Sequence, residues 1–220
     1  MFEGQSPENF EQKCLCVVVA DVSGSMAGQP IYELNRGLHE FQEEIMRDYI
    51  ASQRLEVSVV AFGSQINVVQ EPALVNNFNM PTLHTEGSTR LVDAVRVAMN
   101  MVDERKTWYK NTGQNYYRPF IVLITDGEPD GDQDMQGLSN EIRAAVESKK
   151  FTFWTLGVQG YNHNKLAQIC PVNTPPIPLD GYRFSEFFKW LSNSISVVAK
   201  SKEGQALILP PVSGWTQIQM

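Results

Sequence analysis

The chain is poor in everything that would mark a secreted, membrane-spanning or nucleic-acid-binding protein. It has three cysteines in 220 residues, an odd count and too few for a disulfide framework, which fits a reducing compartment. No run approaches the roughly twenty apolar residues needed to cross a bilayer. Residues 1–12 carry three glutamates and no basic residue, so both the charged and the apolar region of a signal peptide are missing. No lysine or arginine cluster stands out and the formal net charge is −7. A chain of that sign has no general affinity for phosphate backbones, so neither nucleic acid nor a membrane is expected as a partner, and a cytoplasmic location is expected. The G-K-[ST] phosphate loop and the G-x-S-x-G nucleophile elbow are also missing. The histidines are His39, His84 and His163. Only His84 falls near a candidate site, and a surface role suits it better.

What is present begins with an unbroken apolar run, Leu15-Cys16-Val17-Val18-Val19-Ala20, followed by Asp21-Val22-Ser23-Gly24-Ser25-Met26. A run without polar alternation predicts a strand buried on both faces, as in the parallel sheet of an α/β protein. Asp21 then stands at the strand's carboxyl end, the edge where open α/β sheets bind ligands. Two later stretches resemble it in chemistry. Glu86-Gly87-Ser88-Thr89-Arg90 opens a helix and offers the Thr89 hydroxyl, and Phe120 to Thr125 is a second apolar run that ends on Asp126-Gly127. Asp21, Ser23, Ser25, Thr89 and Asp126 form an all-oxygen set without sulfur or imidazole. Such donors favour Mg²⁺ or Mn²⁺, with Ca²⁺ less favoured.

Those three segments resemble, in order and chemistry, the metal-ion-dependent adhesion site of the von Willebrand factor type A domain. The resemblance spans roughly Lys13 to Lys200. It implies a Rossmann-like three-layer α/β sandwich, with a central, mostly parallel sheet of about six strands, one antiparallel edge strand and helices on both faces. It also implies that Asp21, Ser23, Ser25, Thr89 and Asp126 are the metal ligands, and that the ion accepts an Asp or Glu from a protein partner. More narrowly, Leu123-Ile124-Thr125-Asp126-Gly127-Glu128-Pro129-Asp130 and the ending Leu209-Pro210-Pro211-Val212-Ser213-Gly214-Trp215 are similar to bacterial type A proteins associated with tellurium resistance. That group implies a stress or tellurite-resistance system with kinase- or phosphatase-type partners.

The chain divides into a polar lead-in (1–12), one domain (13–202) and a proline-containing tail (203–220). Pro30 suits a helix start, and Ile31, Leu34, Leu38, Phe41 and Ile45 recur at helical spacing, predicting a helix to about Ser52. Leu55 to Phe62 is expected as a strand that alternates at first, and Ile66 to Gln70 as its short antiparallel partner. Residues 71–86 read as an extended crossing, and Leu91, Val95, Met99 and Val102 mark the next helix. Lys106 to Arg118, with Trp108, Tyr109, Tyr116 and Tyr117, is expected to be a surface loop whose aromatics cover the sheet end. The acids from Glu128 to Asp134 lack the glycine spacing of a calcium loop and read as a solvated rim and helix amino-terminal charges. A helix at 135–148, a strand at 151–158, a short helix at 164–169, a short strand at 177–179 and a helix at 185–200 complete the alternation. Phe184, Phe187, Phe188, Leu191 and Ile195 are the buried stripe of that last helix. Cys14 and Cys16 face one side of the sheet as packing residues.

The competing class is an enzyme, either a metal-assisted phosphohydrolase or a serine hydrolase, the latter lacking its G-x-S-x-G elbow. A D-x-D nucleophile pair would need a carboxylate where the chain has Ser23, so an interaction module is expected and an enzyme is not. Asp21 is expected to face solvent, so Asp21→Ala should remove the ion and spare the fold.

Overall fold

A computed structural model describes residues 7–127, 129–158 and 160–200. The tail at 203–220 with its Leu209–Trp215 ending, the first six residues of the lead-in and Glu128 lie outside the described residues. Six strands form one sheet: β1 (Cys14–Asp21), β2 (Leu55–Phe62), β3 (Ile66–Leu74), β4 (Phe120–Thr125), β5 (Thr152–Gly157) and β6 (Ile177–Pro178). Their spatial order is β3-β2-β1-β4-β5-β6. All neighbours pair in parallel except β2 and β3, which are antiparallel with register shifts around Val59. The expected α/β sandwich with one antiparallel edge strand is the observed fold.

The missing polar alternation in β1 has a direct cause: helices cover both of its faces. Cys14, Cys16, Val18 and Ala20 pack against α1 (Gln29–Arg47) and α6 (Phe184–Lys200). Leu15, Val17 and Val19 face the opposite layer, formed by α3 (Leu91–Asn111), α4 (Met135–Glu147) and α5 (His163–Ala167). The predicted stripes are buried, with Leu34, Leu38, Phe41 and Ile45 from α1 meeting Phe184, Phe187, Phe188, Leu191 and Ile195 from α6. Cys14 and Cys16 are fully buried in the first layer. Burial raises both thiols, Cys16 to about 12, so neither is a ready nucleophile.

Three expectations fail for identifiable reasons. The first helix stops at Arg47 rather than Ser52, because Asp48 turns its carboxylate onto the amides of Ile50 and Ala51 and caps a separate helix, α2 (Tyr49–Arg54). β3 runs on to Leu74, past the expected Gln70. Residues 106–111 are helical rather than loop, since α3 extends to Asn111 with Trp108 and Tyr109 buried. That extension is held by Glu56, which does not alternate outward but lies buried on β2. Glu56 accepts two hydrogen bonds from Arg105, each 2.7 Å, and one from the Tyr109 hydroxyl at 2.6 Å. A carboxylate at that depth is tolerable only when paired and hydrogen-bonded.

Candidate functional site at the carboxyl ends of β1 and β4

Strand order reverses between β1 and β4. From β1 the chain crosses to β2 on one side, and from β4 to β5 on the other, so the two loops diverge and leave a crevice above the strand ends. Asp21 ends β1 and Asp126 directly follows β4. Asp21 is fully buried, contrary to the expectation that it faces solvent. Its Oδ1 accepts the Ser23 amide at 2.8 Å, the local turn that Asp favours, and its Oδ2 accepts the Thr125 hydroxyl at 2.6 Å. Above it the Ser23 and Ser25 hydroxyls lie 3.0 Å apart, and Ser25 donates to Asp126 Oδ1 at 2.8 Å. The alternate spacing of D-x-S-x-S is what lets all three side chains reach the same crevice.

Thr89 arrives on the crossing segment, which α1 ties down with polar side chains. Gln42 donates to the Val75 and Phe78 carbonyls and accepts the Met80 amide. Asn35 brackets Leu83 through both backbone groups. The segment then joins the other loops by backbone hydrogen bonds: Glu86 amide to Val22 carbonyl at 2.6 Å, Gly24 amide to Gly87 carbonyl at 3.0 Å, and Arg90 amide to Gly63 carbonyl at 3.1 Å. Two glycines make this approach possible. A Cβ on Gly63 would lie 2.0 Å from the Glu86 carbonyl oxygen, and Gly87 has φ +63, where a side chain would also strike Ser64.

The loop between β4 and α4 closes the far side. Asp130 and Gln133 hold the backbone of Thr89, and Asp132 pairs with Arg90. Asp134 caps α4 through the Gly137 amide and meets Arg96. The expected rim and helix amino-terminal charges therefore describe Asp132 and Asp134, whereas Asp130 is half-buried and engaged with Thr89.

Of the five candidate ligands, Asp21, Ser23, Ser25 and Asp126 form one hydrogen-bonded chain through the Ser23 amide and the Ser23 and Ser25 hydroxyls. The buried Thr89 stands beside them: a Cβ on Gly127 would lie 3.4 Å from Thr89 Oγ1 and 3.5 Å from Asp21 Oδ2. His84 is exposed on the crossing segment. Sequence reasoning missed the hydrogen bond of Thr125 and the grip of Asp130 and Gln133, which have no local signature.

The donor set can be tested against a cation on charge. Burial pushes the Asp21 carboxyl up to about 6, opposed by its hydrogen bonds from Ser23 and Thr125 and reinforced by the Asp126 charge. Burial raises Asp126 as well, against the Ser25 hydrogen bond. Among the described residues neither carboxylate is in an ion pair with lysine or arginine, and no three His, Cys, Asp or Glu side chains cluster. Two carboxylates and three hydroxyls are hard oxygen donors carrying two negative charges, a set that fits a divalent cation of the Mg²⁺ class.

Residues 16–128, just over half of the chain, match the family model described as von Willebrand factor type A domain. No curated protein matches the sequence. Among solved structures the chain is similar to the conserved hypothetical protein BatB from Bacteroides thetaiotaomicron, with TM-score 0.57 and 19% identity over 86% of this chain and 100% of that one. It is similar to the vWF domain of the type V pili tip protein Mfa5 from Porphyromonas gingivalis, with TM-score 0.57 and 10% identity over 89% of this chain and 99% of that one. Proximal thread matrix protein 1 from the mussel byssus gives TM-score 0.56 and 13% identity over 84% of this chain, which spans only 48% of that protein's chain. At these identities the structural likeness is one of fold.

Proposed function

The chain belongs to the von Willebrand factor type A domain family, and from that premise we propose that it is a metal-dependent protein-interaction module and not an enzyme. Asp21, Ser23, Ser25, Thr89 and Asp126 would hold Mg²⁺ or Mn²⁺ at the switch point between β1 and β4. The observation that carries this reading is the convergence of their oxygens from three separate segments, with Ser25 bonded directly to Asp126 across 101 residues of chain. Neutral hydroxyls leave a bound cation's charge incompletely offset, so it would offer an open position to an anionic oxygen. The chain's own part is to hold that position: Asp21 is fixed by Ser23 and Thr125, and Ser25 stands exposed at the mouth. The partner supplies an Asp or Glu carboxylate. The place of a second catalytic carboxylate is taken by Ser23, which supports binding over phosphoester hydrolysis.

The runs Leu123–Asp130 and Leu209–Trp215 support a narrower reading, a cytoplasmic protein of a bacterial tellurite-resistance or stress system working with kinase- or phosphatase-type proteins. No helix among the described residues is long and apolar enough to cross a membrane. The test is calorimetric titration of chelator-treated protein with Mg²⁺ and Mn²⁺, alone and with excess acetate as a carboxylate probe. Binding of an ion that acetate tightens is expected; absence of binding by either ion would remove the metal from the proposal.

A further inference from the structure

α3 begins at Leu91 without a cap of its own. Arg90 occupies the cap position and its side chain makes no capping hydrogen bond, where Ser, Thr, Asp or Asn would ordinarily serve. The cap is supplied from another element. Gln133, in the loop between β4 and α4, accepts the Val92 amide on Oε1 at 2.8 Å. The other end of the same side-chain amide donates from Nε2 to the Thr89 carbonyl at 2.6 Å. Asp130 adds two weaker bonds: its Oδ1 accepts the Thr89 amide at 3.3 Å, and its own amide donates to the Thr89 carbonyl at 3.2 Å. Both backbone groups of Thr89 are thus held by a loop that starts just after Asp126.

We propose that Gln133 is a positioning residue that sets the place of the Thr89 hydroxyl and couples it to the Asp126 loop, so that these two parts of the site move as one body. The proposal rests on the reading of Thr89 and Asp126 as ligands. An amide is the group this place requires, because it accepts from Val92 and donates to Thr89 at once. A carboxylate there would keep the cap and set an oxygen against the Thr89 carbonyl. The two roles of Gln133 are therefore separable by substitution.

The experiment uses the full chain with Gln133→Glu, which retains the cap, and Gln133→Met, which removes both contacts at similar length. The ¹³C resonance of the Thr89 carbonyl and amide hydrogen exchange at Val92 are followed by NMR in chelator-treated protein, and Mn²⁺ affinity is measured by calorimetry. In Gln133→Glu, Val92 stays protected while the Thr89 carbonyl ¹³C resonance moves upfield, the sign of a lost hydrogen-bond donor on that oxygen. Mn²⁺ affinity falls on the order of ten-fold or more in both variants, the usual effect of losing a group that orients a ligand. On charge alone an added carboxylate would tighten a cation, so weaker binding by Gln133→Glu isolates the lost donor. The proposal is overturned if the Thr89 carbonyl resonance is unchanged in Gln133→Glu. It is equally overturned if that variant binds Mn²⁺ as tightly as the parent while only Gln133→Met weakens, since the cap would then be the whole effect. Failure of the parent to bind Mn²⁺ removes the ligand reading by itself, and the Thr89 carbonyl resonance still decides whether Gln133 holds Thr89.

Discussion

Thr125 Oγ1 donates to Asp21 Oδ2 at 2.6 Å and so joins the last residue of β4 to the last residue of β1. The same oxygen accepts the Gly127 amide at 3.1 Å. One hydroxyl therefore orients a candidate ligand and fixes the turn that carries Asp126. Thr125→Val keeps the shape and strands both partners, which should cost about 1–3 kcal/mol in urea unfolding. Mn²⁺ affinity should drop on the order of ten- to a hundred-fold. Thr125→Ser restores both quantities, and parent-like affinity in the valine variant would remove Thr125 from the site.

Gly63→Ala tests whether the crossing segment needs its close approach to β2. The added Cβ meets the Glu86 carbonyl oxygen at 2.0 Å, and backbone cannot swing aside as a flexible side chain can. A thermal melt should show a loss of about 1–3 kcal/mol, the range for overpacking. The Arg90 amide, bonded to the Gly63 carbonyl, should exchange faster. Stability equal to the parent would mean that the Thr89 segment has slack.

The buried Glu56–Arg105 pair lies away from the candidate site and offers a test of packing alone. Arg105→Leu leaves the buried Glu56 carboxyl without the two guanidinium hydrogen bonds it accepts at 2.7 Å. The expected loss is about 3–5 kcal/mol. Changing Glu56→Leu as well should recover much of it, because two apolar groups do not carry a desolvation cost. A double variant no better than Arg105→Leu would show that the Tyr109 hydroxyl, stranded at the same place, dominates.

Much of this architecture was legible because burial on both faces leaves a local trace. β2 was expected at Leu55–Phe62 and is found there, and the stripes of α1 and α6 repeat with the helical period. The ligand candidates were legible too, since D-x-S-x-S and T-D-G are short and sit at strand ends. What was not legible depends on partners distant in sequence. Glu56 reads as an outward residue until Arg105, 49 positions away, makes its burial tolerable. Asp48 sits in a continuous helical pattern, and only its side-chain bonds reveal that the helix breaks there. Gln133 carries no motif; its meaning comes from two backbone groups more than forty residues earlier.

Cys16 gives stability a predictable pH dependence. Its thiol is raised by burial from 9.0 to about 12, so the folded state keeps a proton that the unfolded state releases. Stability is unaffected by this group below about pH 9 and falls as pH rises from there toward 12. Urea midpoints of the parent and of Cys16→Ala, compared across that window, should converge with rising pH after allowing for the variant's own packing loss. A difference that stays constant would mean the thiol ionises in the folded protein.

Ser25 and Asp21 should part company when each is replaced by alanine, although both are candidate ligands. Asp21 is fully buried and accepts from Ser23 and Thr125. Removing it strands an amide and a hydroxyl, a cost of about 1–3 kcal/mol that relief of its repulsion with Asp126 only partly offsets. Ser25 is exposed, and its loss frees Asp126 without burying an unpaired group. Surface changes of that kind usually stay within about 0.5 kcal/mol. Both variants should lose Mn²⁺ binding in calorimetry, but only Asp21→Ala should melt earlier. Ser25→Ala is therefore the cleaner probe of partner binding, because a lost interaction there cannot be blamed on a weakened fold. If Ser25→Ala binds Mn²⁺ as the parent does, the hydroxyl is only a hydrogen-bond donor to Asp126 and the ligand set shrinks by one.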